Sequence, residues 1–227
     1  MEGDEHHHLA RVARIRRGDT VWIFDEAGRR FLAEVEDVGR EKSRLRIIRP
    51  GETEAARTAV VLGQALIKPG SMDLVIQKAV ELGVSAVIPL VSARSLPLRD
   101  GRGAAKSDRW RKIALEAAKQ SRRATVPEIG SPMDLDEFLR RDTDARKLYL
   151  SENGGARLGD LAVDAAGRGA VPAAVVAAVG PEGGWAPEEE RGFREHGFEP
   201  VSLGRTVIRA ETAAIAAAVL IGHFWNA

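Results

Sequence analysis

Two glycine-bearing segments near the end of the chain each follow an apolar run, and this arrangement constrains the fold more than any other feature. Residues 180–184 read Gly-Pro-Glu-Gly-Gly and come directly after the apolar run 173–179. Leu203 and Gly204 close a second, shorter run, and an Ala-rich helical pattern begins a few residues later. In an open α/β sheet, ligands bind outside the carboxyl ends of the strands. We therefore expect these two loops to border a single pocket.

Strand and helix patterns alternate from residue 58 to the end of the sequence. Apolar β-type runs predict strands at residues 58–67, 85–91, 147–150 and 173–179. Helical signals predict helices at residues 73–82, 108–120, 187–197 and 211–224, with Asp108 as a cap and Pro187 in a first turn. This alternation predicts an α/β fold with a mostly parallel sheet. Residues 101–107 and 154–168 are the expected flexible loops.

The first sixty residues have a different, β-type pattern. Alternating or apolar runs predict strands at residues 20–24, 30–35 and 44–48, with a turn at 25–28 and a short helix within 7–15. Short strands at this spacing are typical of a small barrel. We therefore expect a small N-terminal domain, residues 1–62, and a larger domain, residues 63–227, that holds both glycine loops.

The composition excludes several classes of function. The sequence has no cysteine, which excludes disulfides, Cys-ligated zinc and thiol catalysis and fits a reducing cytoplasm. No run approaches the ~18 apolar residues of a membrane span, and the acidic start has no apolar signal region. His6, His7 and His8 could ligate a metal, but a helix-start or RNA-facing role suits them at least as well, so no metal is expected.

Charge is unevenly distributed along the chain, although the net charge is only +1. Between residues 94 and 123, ten Lys or Arg residues are accompanied by three Asp or Glu residues. Such a segment fits a contact with a phosphate backbone, and the alternative is a solvated helix face. Trp22 and Trp110 could stack on bases, or they could be core residues as most such aromatic side chains are.

Each of the two loops allows both a ligand site and a purely structural interpretation. Glycines let the backbone approach a ligand, but Glu182 would repel a phosphate, and the Lys-Ser/Thr ending of a P-loop is missing. The first loop therefore suits a neutral or cationic ligand, unless it is only a tight turn between a strand and a helix. Arg209 could aim its guanidinium at a phosphate or a base edge, whereas residues 210–212 could simply be a capped helix start.

Together, the two loops and residues 209–213, Arg-Ala-Glu-Thr-Ala, closely resemble the ribosomal RNA small-subunit methyltransferase E family of the SPOUT superfamily. Other segments resemble the same family, namely residues 72–73, 77–79, 81–83, 92–95, 120–121, 123 and 126–127, and His8, Arg11, Val12, Arg14, Gly18 and Asp19 near the start. The resemblance covers nearly the whole chain. The order and spacing of these motifs are more specific than any one of them.

The resemblance implies a fold and an activity. Members of this family have a PUA-like N-terminal barrel that binds RNA, and a C-terminal α/β domain with helices on both faces of the sheet and a deep trefoil knot. They bind S-adenosylmethionine (SAM) in the knot, act as homodimers and methylate N3 of a uridine in 16S ribosomal RNA of the small subunit. The implied partner is therefore 16S ribosomal RNA, with no metal and no membrane, in the cytoplasm.

The resemblance also implies which residues form the site. The cofactor would contact residues of the two loops and the helix that follows them: Gly180, Pro181, Glu182, Gly183, Gly184, Leu203, Gly204, Ile208, Ala210 and Thr212. Arg209 and Glu211 would be the catalytic residues, Arg209 to stabilise the uridine anion or a phosphate, and Glu211 as a base or as an anchor of the helix. The residues expected to contact RNA are His8, Arg11, Arg14, Arg94, Lys112, Arg122 and Arg123.

Two other functions stay compatible with the sequence. One is a methyltransferase of the same superfamily with another target, such as a transfer-RNA ribose, and mapping the modified nucleotide would separate the two. The other is a non-catalytic RNA-binding protein of ribosome assembly, whose RNA binding would not depend on Arg209. The β-type N-terminal region favours the 16S ribosomal RNA methyltransferase, because it is similar to the barrel of that family.

Overall fold

The computed structural model describes residues 1–7, 9–10, 15–25, 29–51, 58–98, 103–123, 125–167 and 171–225. Contacts divide the chain into two compact units, one of Met1–Glu54 with Arg123–Val126 and one of Ala55–Arg122 with Pro127–Ala227. The boundary predicted near residue 62 falls within a strand, Ala59–Ala65, which pairs with two strands of the larger unit.

The smaller unit is built on a three-stranded antiparallel sheet. Its strands are β1 (Thr20–Phe24), β2 (Arg30–Val38) and β3 (Ser43–Pro50), in the order β1-β2-β3. Ala33 and Val35 of the central strand are fully buried, because side chains alternate between the two faces of a strand. The three strands predicted in this region are confirmed, whereas residues 26–28 of the predicted turn lie outside the described residues.

The histidine segment has a structural role at the start of this unit. A short helix, α1 (Gly3–His7), places His6 beside β3. Its Nδ1 lies 2.9 Å from Ser43 Oγ and its Nε2 lies 3.2 Å from the carbonyl oxygen of Arg40. Both ring nitrogens are thus engaged in hydrogen bonds. Within the described residues, no group of three or more His, Asp or Glu side chains is arranged to hold a metal ion.

The larger unit contains an eight-stranded sheet in which all described pairings are parallel. Its strands are β4 (Ala59–Ala65), β5 (Ala86–Val91), β6 (Glu128–Ile129), β7 (Met133–Asp134), β8 (Arg146–Leu150), β9 (Ala156–Arg157), β10 (Ala174–Val179) and β11 (Glu199–Ser202). The strand order is β6-β5-β4-β10-β8-β11-β9, and β7 also pairs with β5. The predicted α/β fold with a mostly parallel sheet is therefore confirmed.

Among the described residues, six helices accompany this sheet: α2 (Pro69–Glu81), α3 (Gly103–Gln120), α4 (Leu135–Leu139), α5 (Leu158–Gly167), α6 (Pro187–Glu195) and α7 (Ala210–Trp225). They cover both faces of it. Val176 and Ala178 of β10 pack in a cluster with Phe138 of α4 and Phe193 of α6. Residues 175, 177 and 179 are equally buried on the opposite face, where α7 contacts β10. None of the described helices has the length and apolarity needed to cross a bilayer.

An aromatic cluster fixes the connection between the sheet and the first glycine loop. Phe193 of α6 stacks on Tyr149 of β8 with ring centroids 4.7 Å apart, and it meets the edge of Trp185 at 4.8 Å. Phe198 packs against Phe193 from another side at 5.1 Å. Burial raises the pKa of the Tyr149 hydroxyl above its ordinary value. Trp185, at the end of the glycine loop, is therefore buried and held in place by its contact with these aromatic rings.

Several element boundaries predicted from the sequence are wrong. Helix α2 begins at Pro69 and not at residue 73, because proline is well suited to the first position of a helix. Helix α3 begins at Gly103, so Asp108 lies inside the helix and does not cap it. Part of the expected loop 101–107 is therefore helical, and the expected loop 154–168 contains β9 and α5. Helix α4 and the two-residue strands gave no periodic pattern and were not predicted.

The close packing of Gly63 in β4 gives a test of the fold. A Cβ built on Gly63 would lie 2.7 Å from Cζ of Phe138, so Gly63→Ala must displace a rigid ring. We expect the free energy of unfolding to fall by about 1–3 kcal/mol, as measured by urea denaturation. Gly70→Ala in α2, where a Cβ meets nothing within 4 Å, is the control and should leave stability unchanged or raise it by up to about 1 kcal/mol. Equal denaturation midpoints for Gly63→Ala and the unmodified protein would contradict the described packing.

Candidate functional site

A cavity of about 530 Å³ opens at the carboxyl ends of three neighbouring strands, β10, β8 and β11. Its walls come mainly from three segments: residues 150–154, 179–185 and 201–210. We refer to residues 151–154 as the β8 loop, 180–185 as the β10 loop and 203–209 as the β11 loop. Arg94, Glu190 and Ala213 complete the lining. The parallel pairing of these strands thus brings three segments that are distant in sequence to the same cavity.

The β10 loop makes a tight turn that only glycine accommodates well. The amide of Gly184 donates a hydrogen bond of 2.9 Å to the carbonyl oxygen of Pro181, and Gly184 has a φ of +65°. A Cβ on Gly180 would lie 3.3 Å from the indole of Trp185. That indole donates a hydrogen bond of 3.0 Å from its Nε1 to the carbonyl oxygen of Leu150. The turn therefore folds back on itself and is tied to the end of β8.

Neighbouring loops hold the β10 loop from its other side. The Nη1 of Arg94 donates hydrogen bonds to the carbonyl oxygens of Gly183, at 2.8 Å, and of Trp185, at 3.2 Å. The backbone N–H of Lys68, immediately before α2, donates to Oε1 of Glu182 at 3.3 Å. Because these contacts engage both the main chain and the carboxylate of the loop, its shape is set before any ligand binds.

The β8 loop forms a third wall that the sequence analysis missed. Glu190 of α6 is buried, and its Oε1 accepts hydrogen bonds from Ser151 Oγ at 3.0 Å and Asn153 Nδ2 at 3.1 Å. Arg194 donates to the other carboxylate oxygen at 3.3 Å. A buried carboxylate with three donors fixes the loop against α6. The sequence could have predicted this wall. Residues 147–150 were predicted to form a strand, and ligands bind outside the carboxyl ends of strands in such a sheet, so the residues after 150 were also candidates for the site.

The β11 loop closes the cavity opposite the β10 loop. Gly204 has a φ of +145°, which a residue with a side chain rarely adopts. Ile208 is half-buried, whereas Val207 is 76% exposed. Arg209 lines the cavity with an exposed side chain, and its carbonyl oxygen accepts a hydrogen bond of 2.9 Å from the amide of Ala213 in the first turn of α7. The backbone of Arg209 is thus fixed by the start of the helix, while its side chain is exposed.

The structure brings the two predicted loops together around one cavity. The predicted cofactor residues that line it are Gly180, Pro181, Glu182, Gly183, Gly184, Leu203, Gly204, Ile208 and Ala210. Thr212 is exposed on α7 and is not part of the lining. Of the two predicted catalytic residues, Arg209 lines the cavity, and Glu211 is half-buried in the first turn of α7 outside it.

The residues predicted to contact RNA are scattered. His8, Arg11 and Arg14 lie outside the described residues. Arg94 lies in the cavity wall, where its guanidinium is engaged with the β10 loop. Lys112 is exposed on α3, and Arg122 is exposed just after this helix with a φ of 57°. Arg123 is half-buried, and this burial lowers its pKa.

Ion pairs reduce the positive charge that helix α3 presents to a ligand. Three of its basic residues form ion pairs, Arg109 with Asp73, Arg111 with Asp108 and Lys119 with Glu116. Such pairs reduce the field that a phosphate backbone would meet. Trp110 of the same helix is only 4% exposed, so it is a core residue and not a surface for bases.

The two hydrogen bonds of Arg94 predict a measurable effect on the β10 loop. Arg94→Ala removes both, so the amides of residues 183–185 should exchange with deuterium on the order of 10-fold faster, since each bond contributes about 1 kcal/mol. Hydrogen exchange with mass spectrometry measures this. Arg111→Ala, which removes an exposed cation paired with Asp108, is the charge-matched control and should leave the loop unchanged. Unaltered exchange in Arg94→Ala would show that Arg94 does not hold the loop.

Proteins of known sequence and structure are similar to this chain in both sequence and fold. A family model described as an RNA methyltransferase domain matches residues 54–222, and one described as an RNA methyltransferase PUA domain matches residues 2–48. The ribosomal RNA small subunit methyltransferase E of Mycobacterium bovis is 35% identical, over 98% of this chain and 85% of that protein. The protein of the same name from Bacillus subtilis is 30% identical, over 98% of this chain and 89% of its own length.

A solved structure agrees with these relatives. The ribosomal RNA small subunit methyltransferase E of Neisseria gonorrhoeae, crystallised with bound S-adenosyl methionine, superposes with a TM-score of 0.87. It is 32% identical, and the match covers 99% of this chain and 91% of that one. The shared sequence extends over both units of the molecule and includes all three loops of the cavity. The chain belongs to the ribosomal RNA small subunit methyltransferase E family.

Proposed function

We propose that this chain transfers a methyl group from SAM to N3 of a uridine in 16S ribosomal RNA of the small subunit. The observation that carries the proposal is the cavity at the carboxyl ends of three parallel strands, bordered by the two glycine loops. Membership of the family supports it, since the relatives are named for ribosomal RNA methylation and the Neisseria gonorrhoeae structure contains SAM.

The residues of the cavity fit SAM in size and in chemistry. Its volume, about 530 Å³, lies in the usual range for small-molecule sites. Gly184 and Gly204, both at positive φ, present main chain without a Cβ and let a flat adenosine group approach closely. The carboxylates of Glu152 and Glu182 favour a cationic sulfonium over a phosphate. When bound, SAM supplies an activated methyl group, so alignment with the acceptor accounts for much of the rate.

Arg209 is the residue that we propose acts on the RNA. Uridine N3 must lose its proton before it accepts a methyl group, and the resulting negative charge must be stabilised until attack. Arg209 lines the cavity with an exposed side chain, and a guanidinium can hold this anion or a neighbouring phosphate. Glu211 lies outside the lining in the first turn of α7, which favours its role as an anchor of the helix start over that of a base.

Several finer features belong to the same proposal. We propose that the smaller unit is an RNA-binding barrel and that the larger unit is a SAM-binding domain with a trefoil knot that encloses the cavity; the PUA-domain match to residues 2–48 supports the first part. We also propose a homodimer, since Val207 and Val219 are exposed apolar side chains of the larger unit that a second copy would cover. A cytoplasmic location follows from the ribosomal substrate. Lys112 and Arg122 are the exposed cations proposed to contact RNA phosphates.

Two measurements on one set of proteins test the proposed function. Isothermal titration with SAM should show binding by the unmodified chain, and radiolabelled SAM should label undermethylated 30S subunits with 3-methyluridine as the product. Arg209→Ala should lower the rate of transfer by about 10²–10³-fold, because an electrostatic stabiliser of the anion is lost. The affinity for SAM should change much less, since the main chain of the loops is intact.

Arg111→Ala is the control for charge, because Arg111 is an exposed, ion-paired arginine of α3 far from the glycine loops in sequence. It should transfer methyl groups at the unmodified rate. Absence of heat with SAM, or a label on a nucleoside other than uridine, would contradict the proposed function. Unaltered transfer by Arg209→Ala would contradict the role of Arg209 alone.

A further inference from the structure

The β8 loop uses its own hydrogen-bond donors inside the protein. The Oγ of Ser151 donates to Oε1 of Glu190 at 3.0 Å, and Nδ2 of Asn153 donates to the same oxygen at 3.1 Å. The backbone N–H of Asn153 donates to Ser151 Oγ at 3.1 Å, and that of Ser151 donates to the carbonyl oxygen of Val201 at 2.9 Å. Each donor group of Ser151 and Asn153 is therefore already engaged.

Glu190 fixes which end of the Asn153 amide is available to a ligand. An ionised carboxylate only accepts hydrogen bonds, so the amide must turn its Nδ2 toward Glu190. The Oδ1 of Asn153 is left as an acceptor and has no partner among the described residues. Asn153 is exposed and lines the cavity. The buried carboxylate thus determines that this side chain offers the cavity an acceptor and not a donor.

The charges of the β8 loop favour a cation beside this acceptor. The carboxylate of Glu190 is paired with Arg194, whose Nη2 lies 3.3 Å from it. Glu152, between Ser151 and Asn153, is exposed, lines the cavity and has no ion pair among the residues that the structure describes. Adjacent residues of the loop therefore offer an unpaired carboxylate and an amide acceptor. This combination suits a positively charged hydrogen-bond donor.

We propose that Glu190 is a positioning residue that makes Asn153 Oδ1 available to the α-ammonium group of SAM, with Glu152 as the neighbouring negative charge. The inference rests on the proposed function and names the part of the cofactor that the β8 loop recognises. The ammonium is positively charged and only donates hydrogen bonds, whereas the ribose hydroxyls both donate and accept and the carboxylate only accepts. The adenine amine is uncharged, so it gains less from a nearby carboxylate.

Isothermal titration of the unmodified chain with two analogues of SAM tests the inference directly. S-adenosylhomocysteine keeps the amino group and lacks the transferred methyl group, whereas its desamino analogue also lacks the amino group and keeps the carboxylate. The desamino analogue should bind on the order of 10-fold more weakly or worse, because a charged hydrogen bond to the β8 loop is lost. Equal affinities would overturn the inference, and this result needs no variant to fold.

Variants show which residues recognise the amino group. Asn153→Ala should weaken the binding of S-adenosylhomocysteine on the order of 10-fold and change that of the desamino analogue by less than about 2-fold. Glu190→Gln should have the same selective effect, because a carboxamide has one acceptor end and Arg194 competes with the Asn153 amide for it. Glu188→Gln is the matched control on α6, since Glu188 pairs with Arg191 and does not line the cavity. It should bind both compounds like the unmodified chain.

A double variant separates positioning from a general structural role. If Glu190 acts through Asn153, adding Glu190→Gln to Asn153→Ala should cost little further affinity for S-adenosylhomocysteine. A purely structural Glu190 would weaken the binding of both compounds, and its effect would add to that of Asn153→Ala. Additive losses, or equal losses for the two compounds, would overturn the inference.

These outcomes are independent of methyl transfer, because the two compounds carry no methyl group to transfer. Binding that depends on the amino group, in a chain that does not methylate 30S subunits, would contradict the proposed function and support this inference. Normal methyl transfer by a chain that binds both compounds equally well would contradict this inference and support the proposed function.

Discussion

The parallel pairing of β10 with β4 on one side and with β8 on the other is the interaction on which the site depends. The register pairs Val179 with Gln64 and Ala178 with Tyr149, so the three strands end at nearly the same level of the sheet. Gln64 is fully buried there, and its Nε2 donates to the carbonyl oxygen of Ala65 at 2.9 Å and reaches that of Gly180 at 3.5 Å. The first glycine of the β10 loop is thus placed by hydrogen bonding from the neighbouring strand. Because side chains alternate along a strand, a slip of one residue in this register would exchange the β10 side chains that pack against α4 and α6 with those that face α7.

The same arrangement anchors two walls of the cavity, the β10 and β8 loops, more firmly than the third, the β11 loop. Trp185 anchors the β10 loop in the aromatic cluster around Phe193, and Glu190 anchors the β8 loop through three donors. Both anchors come from α6, so one helix fixes two walls. The β11 loop has no comparable anchor among its described contacts, and its Val207 is largely exposed. A ligand would therefore enter a site whose main-chain donors on the β10 side are already in place, which lowers the entropy lost on binding.

The sequence predicted the parts of this structure that depend on local signals. The uninterrupted apolar run 173–179 and the glycines after it identified β10 and its loop, because a strand buried on both faces shows no alternation. The cofactor residues followed from the resemblance to the methyltransferase family, and all of them but Thr212 line the cavity. Helix periodicity explains that exception, since Thr212 follows Ala210 by two positions and so leaves the side of α7 that faces the cavity.

Features that depend on tertiary contacts were not predictable in the same way. Ser151, Asn153 and Glu190 come together only through the pairing of β8 with β10, and no local pattern joins them. Arg94 is among the residues expected to contact RNA, and in the folded chain its guanidinium donates to two carbonyl groups of the β10 loop. Arg111 and Lys119 of α3 pair with Asp108 and Glu116, acids one turn away that the sequence does show. The partner of Arg109, Asp73 of α2, comes close to it only in the folded chain.

A crystal structure of this chain grown with SAM tests the central claim most directly. The account predicts electron density for SAM in the cavity, with main-chain hydrogen bonds from residues 180–184 on one side and 203–208 on the other. Density at another place on the molecule, or glycine loops separated too widely for one molecule to contact both, would contradict it.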